Sequence, residues 1–461
     1  DICAVTQLFT EPYMVQFLLQ NTLGAWWLDR HPASSLRSEW VYYKDQVQHD
    51  FSAFPEKAGD LKILDPACGS GHFLVEAFHM LLAMRLEEGE SLEAAIAGIV
   101  RDNLHGLEID PRCIQIAGFA VAMEAWKAGF PTDEYLPLPN LACVGLPIRA
   151  EKEEWLKLAG GDGLLEGELE KYYDLFKNAD SLGSLIQIEE GGTLVPGEVL
   201  MQKLEKALAK EKATGDPVAE AFGETASGVL KAVQYLQRKD FHIVVTNPPF
   251  LSRGRQSQVI RNMCDLYYEC EKNDLATCFL HRCKLFTRNN ANYAIVSPQN
   301  WLFLPNYKRL RSKLLNNDTL RSIVRLGEGG FDSSAAAGAF TILIVISKKS
   351  PKGERSSNIQ CFDISKPRTA YEKSSLLECA ETVCIGQFEQ FSNVDSRIIL
   401  EKINFGSTLE KYAVSIEGLT TGDLERYIRK FWESARLLPG WECFIQNVDS
   451  TIAYGGRSDT I

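Results

Sequence analysis

The chain has 461 residues, 45% hydrophobic and 24% charged, with 61 acidic against 49 basic side chains and a formal net charge of −12. That length allows two or three domains and a large core, while the acidic balance excludes a simple polycationic nucleic-acid binder, because phosphate contacts need Lys and Arg. No apolar run reaches membrane-span length, no N-terminal signal pattern is present, and the twelve cysteines lack C-x-x-C spacing, which excludes a zinc ribbon or a secreted disulfide framework.

The expected location is therefore cytoplasmic, with no membrane contact and reduced thiols. The chain starts at Asp1 rather than Met, so a longer parent chain is expected. Residues 6–29 read as a helix, with Thr10 as N-cap and Glu11 and Pro12 in the first turn. Residues 61–65 read as a short buried strand, followed by a Gly-rich turn and a helix ending near Gly89. An extra helix is expected at 91–102, then a strand at His105–Ile109. Asp110 as N-cap and Pro111 as first residue open a helix that stops near Gly129.

Residues 150–235 are rich in Glu and Lys, with Gly-rich breaks at 159–163 and 191–193, and read as a partly helical insertion with exposed charged faces. Strands follow at 241–246, Tyr293–Ser297 and Phe340–Ser347, with a helix at Asp274–Arg288. The alternation implies an α/β fold: a doubly wound, mostly parallel sheet with helices on both faces. From about residue 405 aromatics and glycines are scattered (Trp432, Trp441, Gly455, Gly456). The expected division is 1–404 for the α/β domain and 405–461 for the start of a second, truncated domain.

Two segments carry chemistry. The first is Asp65-Pro66-Ala67-Cys68-Gly69-Ser70-Gly71, where a strand gives way to a helix. In an open α/β sheet the ligand sits beyond the carboxyl ends of the strands. Gly69 and Gly71 let backbone approach it closely, and no Lys-Ser/Thr pair follows, which excludes a P-loop. Glu108, ending the next strand, can accept hydrogen bonds from both hydroxyls of a ribose. Its distance from Gly71 exceeds the roughly 20 residues usual in dinucleotide folds, and the helix at 91–102 accounts for the excess.

The second segment is Asn247-Pro248-Pro249-Phe250, after an apolar strand. The Asn247 side-chain oxygen and the Pro248 carbonyl can accept the two N–H groups of an exocyclic amine. Pro248 and Pro249 stiffen the turn, and Phe250 can stack on a flat ring. Together the segments point to methyl transfer onto a base amine, with no metal and no catalytic histidine; His72 and His105 are read as loop or core residues. Arg253, Arg255 and Arg261 follow the clamp without an acidic residue among them, as phosphate contacts would require. From Lys308 to Arg325 six basic residues meet one acidic residue, which reads equally as a solvated helix face or a phosphate surface.

These residues resemble the S-adenosylmethionine-dependent DNA adenine-N6 methyltransferases. Asp65–Gly71 and Gly106-Leu107-Glu108-Ile109-Asp110-Pro111 are similar to that family's first two motifs. Thr6–Pro12 resembles the upstream motif whose Phe and Thr close over the methionine end of the cofactor, although Glu11 interrupts the usual Thr-Pro. Ala179-Asp180-Ser181-Leu182 resembles the motif whose Asp accepts the cofactor adenine amine. The resemblance implies that Phe9, Thr10, Asp65, Ala67, Gly69, Gly71, Glu108, Ile109, Asp180 and Asn247 contact the cofactor. It also implies double-stranded DNA as partner.

Within that group the likeness is to the methyltransferases of BREX phage-defence systems, and next to the methyltransferase part of fused type II restriction enzymes. Other phage-defence proteins are then expected partners. Gly418–Asp423 with Arg426 resembles the entry to a target-recognition region. A cofactor-sensing module, inactive without partners, and RNA adenine or protein glutamine as acceptors are the competing expectations.

Overall fold

The computed structural model describes residues 9–45, 50–188, 217–333, 338–351 and 357–401, and the pairs 412–413, 429–430, 443–444 and 459–460. Thr6–Leu8, the glycines at 191–193, Gly418–Arg426, Trp432, Trp441, Gly455 and Gly456 lie outside the described residues. The chain divides into two units, Asp1–Lys402 and Ile403–Ile461.

In the first unit nine strands form one sheet: β1 (Ile63–Asp65), β2 (Leu104–Glu108), β3 (Asn140–Cys143), β4 (Phe241–Thr246), β5 (Thr287–Pro298), β6 (Thr319–Gly327), β7 (Thr341–Ser347), β8 (Asn358–Asp363) and β9 (Val383–Gly386), in the order β3-β2-β1-β4-β5-β7-β6-β8-β9. Every residue of β1, β2, β4 and β7 is buried, the pattern of strands covered on both faces. Alternation along β4 shows the two faces: Val244 joins one buried cluster, while Ile243 and Val245 join the other. Helices Gly163–Phe176, Pro217–Leu236 and Leu275–Phe286 serve the first cluster; Pro12–Leu19, His72–Glu87 and Pro111–Lys127 serve the second.

The sheet is parallel from β3 through β5. Beyond β5 it is mixed, an arrangement that the expected mostly parallel α/β sheet leaves room for. β7 runs antiparallel to both β5 and β6, and β9 antiparallel to β8. The cause is connectivity: no helix lies between β6 and β7 among the described residues, and β7 pairs antiparallel with β6 in the slot between β5 and β6.

Thr10 is not the N-cap of the first helix. Glu11 is, because Pro12 takes the first helical position, where its missing N–H costs nothing. This helix also passes through a π-turn at Gln20–Gly24 before Ala25–Arg30. The 150–188 part of the insertion is less exposed than its composition suggests. Trp155, Leu169, Tyr172 and Phe176 are buried in the sheet-facing cluster, and Trp155 donates to the Leu169 carbonyl at 2.8 Å.

In the second unit, the described residues Arg429–Lys430, Cys443–Phe444 and Asp459–Thr460 pair as a small antiparallel sheet. No helix among the described residues is long and apolar enough to cross a membrane.

An irregular stretch, residues 179–186, made of two short helical turns (Ala179–Leu182 and Gly183–Leu185), lies at the carboxyl edge of the sheet. Buried Arg282, on helix Leu275–Phe286, donates to the carbonyls of Ser184 (2.8 Å), Ile186 (2.9 Å) and Leu236 (2.9 Å). The guanidinium thus satisfies carbonyls that have no helical or strand partner. Arg282→Ala leaves them bare in the core, and a destabilisation on the order of 3 kcal/mol is expected. It would be read as a lower urea midpoint with an unchanged slope.

Candidate active site

The turn after β1 is held by its own backbone and by Glu108. Ala67 N–H donates to the Asp65 carboxylate at 3.1 Å, and Cys68 N–H to the Leu107 carbonyl at 2.9 Å. Gly69 and Gly71 have φ of +52° and +94°, the left-handed region that disfavours any Cβ, so the turn can drop its last residue onto the N-terminus of helix His72–Glu87. Glu108 closes the structure: one carboxylate oxygen accepts from Gly69 N–H at 2.7 Å, the other from Ile109 (2.8 Å) and Asp110 (3.0 Å). Asp110 caps the following helix through Arg112 N–H at 2.8 Å. Gly145, after β3, lies so close that a Cβ would sit 2.0 Å from the Ile109 carbonyl oxygen, so only glycine leaves the end of β2 in place.

Above this turn lies a cavity of about 470 Å³. Asp65, Ala67, Gly69, Glu108 and Ile109 line its floor side, Phe9 and Thr10 come from the N-terminal segment, and Asp180 with Ser181–Leu185 comes from the irregular stretch. Asn247 and Pro249 line it from the second segment. The two distant motifs thus open on one cavity. Among the described residues its lining contains three carboxyl groups (Asp65, Glu108, Asp180) and no Lys or Arg.

Gly71, Pro248 and Phe250 are not in the lining. Gly71 is packed against Ala117, Pro248 is buried, and Phe250 is half-buried against the core. Phe9 is 66% exposed and meets His72 edge-on, with ring centroids 6.1 Å apart. The Asn247 amide donates to the Thr10 hydroxyl at 3.0 Å, a contact between residues 237 apart that ties the N-terminal segment to the clamp.

The three arginines after the clamp differ. Arg253 is paired with Asp265 at 2.7 Å, and Arg261 donates to the carbonyls of Arg253 (3.2 Å) and Gly254 (3.0 Å). Arg255 is exposed. In the Lys308–Arg325 run, Arg311 is fully buried, Arg321 donates to Ser347, and Arg325 faces Asp363.

A family model described as "Eco57I restriction-modification methylase" matches residues 102–331, and one described as "MmeI, DNA-methyltransferase domain" matches residues 43–153. The adenine-specific methyltransferase PglX of Lacticaseibacillus casei (strain Zhang) is 26% identical over 94% of this chain and 38% of its own length. The adenine-specific methyltransferase BrxX of Escherichia coli O9:H4 (strain HS) is 31% identical over 72% of this chain and 30% of its own.

This chain is a homologue of adenine-specific methyltransferases. It spans about a third of the length of those relatives. Among solved structures, a nuclease-deletion mutant of the Type ISP restriction-modification enzyme LlaGI, in complex with a DNA substrate mimic, is 15% identical with a TM-score of 0.49, over 82% of this chain and 26% of that one.

Against the background of a methyltransferase homologue, several lining residues stand out that the sequence did not flag. Ser184 donates to the Pro66 carbonyl at 2.5 Å, so the irregular stretch is fastened directly to the Gly-rich turn. Leu275 and Phe279 line the cavity from the helix that also carries Arg282. Neither has a motif signature, because both sit on an ordinary amphipathic helix. His72, read as a loop or core residue, lines the cavity, and burial lowers its pKa, which favours the neutral ring.

Burial pushes the Asp65 carboxyl up to about 7, against the Thr246 hydroxyl and Ala67 N–H, which favour its ionised form. Glu108 is also raised, chiefly by burial, with its three backbone donors opposing. An unfolded Asp titrates near 4, so between that pH and about 7 the folded protein keeps a proton that the unfolded chain has lost. Stability should therefore fall as pH rises through that window and level off above it. Asp65→Asn cannot ionise. Its urea midpoint should drop less between pH 5 and pH 8 than that of the parent, by about 3 kcal/mol in stability.

Proposed function

We propose that this chain methylates adenine N6 in double-stranded DNA, with S-adenosylmethionine as donor, in a cytoplasmic phage-defence setting of the BREX type. The observation that carries the reading is the shared cavity: the Gly69 turn and the Asn247 clamp line one space. The charge of the lining supports the donor. Three carboxyls without Lys or Arg suit a ligand bearing an ammonium and a sulfonium, and oppose a phosphate-bearing nucleotide. Bound there, the cofactor supplies an electrophilic methyl group.

The chain's own residues hold and orient. Glu108 faces the ribose, Asp180 the adenine amine, and Phe9, Thr10, Asp65, Ala67, Gly69 and Ile109 shape the remainder, while Gly71, packed on Ala117 outside the lining, acts only through the shape of the turn. Asn247 and the Pro248 carbonyl accept the two N–H groups of the target amine, and Phe250 stacks on its ring. An exocyclic amine conjugated to a purine is a weak nucleophile, so positioning, and acceptors that strengthen as positive charge develops on nitrogen, are the available levers. The bond from the Asn247 amide nitrogen to the Thr10 hydroxyl supports this reading, because it leaves the amide oxygen as the acceptor. A duplex base reaches such a clamp only by extrusion, at a cost of a few kcal/mol. Arg255, with Arg253 and Arg261 behind it, faces the phosphates. Residues 1–404 form the methyltransferase part and 405–461 the start of a target-recognition region; the division after Lys402 supports that partition.

The test is transfer of labelled methyl from S-adenosylmethionine by the full-length protein to DNA, RNA and protein, side by side. Incorporation into DNA, recovered as N6-methyladenine, is expected. Asn247→Ala should cut turnover by about 100-fold or more, with a much smaller change in cofactor affinity by calorimetry. Equal turnover by this variant would reject the clamp, and label in RNA or protein alone would reject the acceptor.

A further inference from the structure

The carboxyl edge of the sheet carries a second feature beside the cavity. β5 runs parallel to β4, pairs Ile295 with Thr246, and continues to Pro298, so the segment after it emerges at the edge that carries Asn247. That segment is pinned unusually hard. Trp301 is fully buried and donates to the Ser297 hydroxyl at 3.0 Å. Arg311, also fully buried, donates to the carbonyls of Trp301 (2.8 Å) and Leu304 (2.7 Å), and on its other side to those of Asp395 (2.8 Å) and Ser396 (3.1 Å).

At the second pinned carbonyl and just before it, the chain turns Leu304 and Phe303 outward, 37% and 40% exposed. Phe340 lies at the same edge, 50% exposed, and its carbonyl accepts from Gln299 N–H at 2.9 Å. A single exposed apolar side chain needs no explanation. Three at the edge where a base must enter, two of them on backbone held by a buried guanidinium, are a rigid apolar projection.

The surroundings indicate what it meets. Lys308 and Arg309, within six residues of Phe303, are 60% and 68% exposed at their side chains. Their partners Asp395 and Glu269 are solvent-accessible, so these bridges are weak and exchange readily for phosphate. An apolar projection with exchangeable cations on its flank matches a duplex opened at one base pair: phosphates outside, unstacked bases within.

We propose that Phe303, supported by Leu304 and Phe340, is a positioning residue that enters the DNA duplex beside the extruded adenine and stacks on the bases left behind. The inference rests on the DNA-adenine reading above. It assigns no role in cofactor binding or in the methyl step itself. Filling the gap replaces stacking lost on extrusion, so Phe303 matters only while the target base is paired.

The experiment uses the full-length protein. Sequencing of modified bases in DNA that it has methylated gives the target site, and failure at this step would count against the DNA-adenine reading rather than against Phe303. Two synthetic duplexes are then compared, one with the target adenine paired to thymine and one with it opposite an abasic site. For Phe303→Ala, at least a 10-fold lower turnover is expected on the paired duplex and less than 3-fold on the abasic one. Cofactor affinity and thermal midpoint should match the parent. Leu304→Ala and Phe340→Ala should show the same split to a smaller degree. Equal losses on both duplexes, or no loss on either, would overturn the proposal.

Discussion

The site depends on the position of one three-residue strand. β1 lies between β2 and β4, parallel to both, with Ile63 opposite Leu104 on one side and Ile243 on the other. That register brings the ends of three strands to one edge: Asp65 from β1, Glu108 from β2 and Thr246 from β4. Because strands at a parallel edge all point the same way, the turns that leave them crowd into one volume. The Gly-rich turn and the Asn247 segment, about 180 residues apart in sequence, share a cavity for this reason. A short strand suffices because it is paired on both sides and buried on both faces.

The cost of this convergence is electrostatic. Two carboxyls, Asp65 and Glu108, are almost wholly buried near one another, and burial raises both. A plain fold would place apolar residues there. Glu108 is partly compensated by three backbone donors, and it repays part of the cost by holding the Gly69 turn to the end of β2. Asp65 has the Ala67 N–H and the Thr246 hydroxyl against its burial, which pushes it up to about 7. A group so placed stores a preference for positive charge in the cavity, which the proposed sulfonium and ammonium would satisfy.

What was legible in the sequence follows the local physics of each element. β1, β2 and β4 announced themselves as apolar runs ending at polar turns, and helix Pro111–Lys127 carried its own cap and proline. The strands β3, β6, β8 and β9 are absent from the sequence reading; β3 has only four residues. β6 carries arginines at 321 and 325 within its span, and β8 and β9 are short and partly exposed. Thr10 was placed at the right segment but in the wrong role, because capping rules see only neighbours, while its hydroxyl partner is 237 residues away. The arginines after the clamp were read from composition, which does not show that Arg253 meets Asp265 or that Arg261 meets carbonyls.

Long-range carbonyl satisfaction is the class of constraint that a sequence hides best. Arg282 and Arg311 look like ordinary members of basic helices, yet both are buried and both spend their donors on backbone carbonyls of irregular segments. Each fixes a segment at the carboxyl edge: 184–186 beside the Gly-rich turn, and 301–304 after β5. A guanidinium, planar and with five donors, replaces several ladder bonds at once. The irregular segments are therefore as firmly placed as the strands they adjoin, and rigidity at such an edge is what the orientation of a weak nucleophile demands.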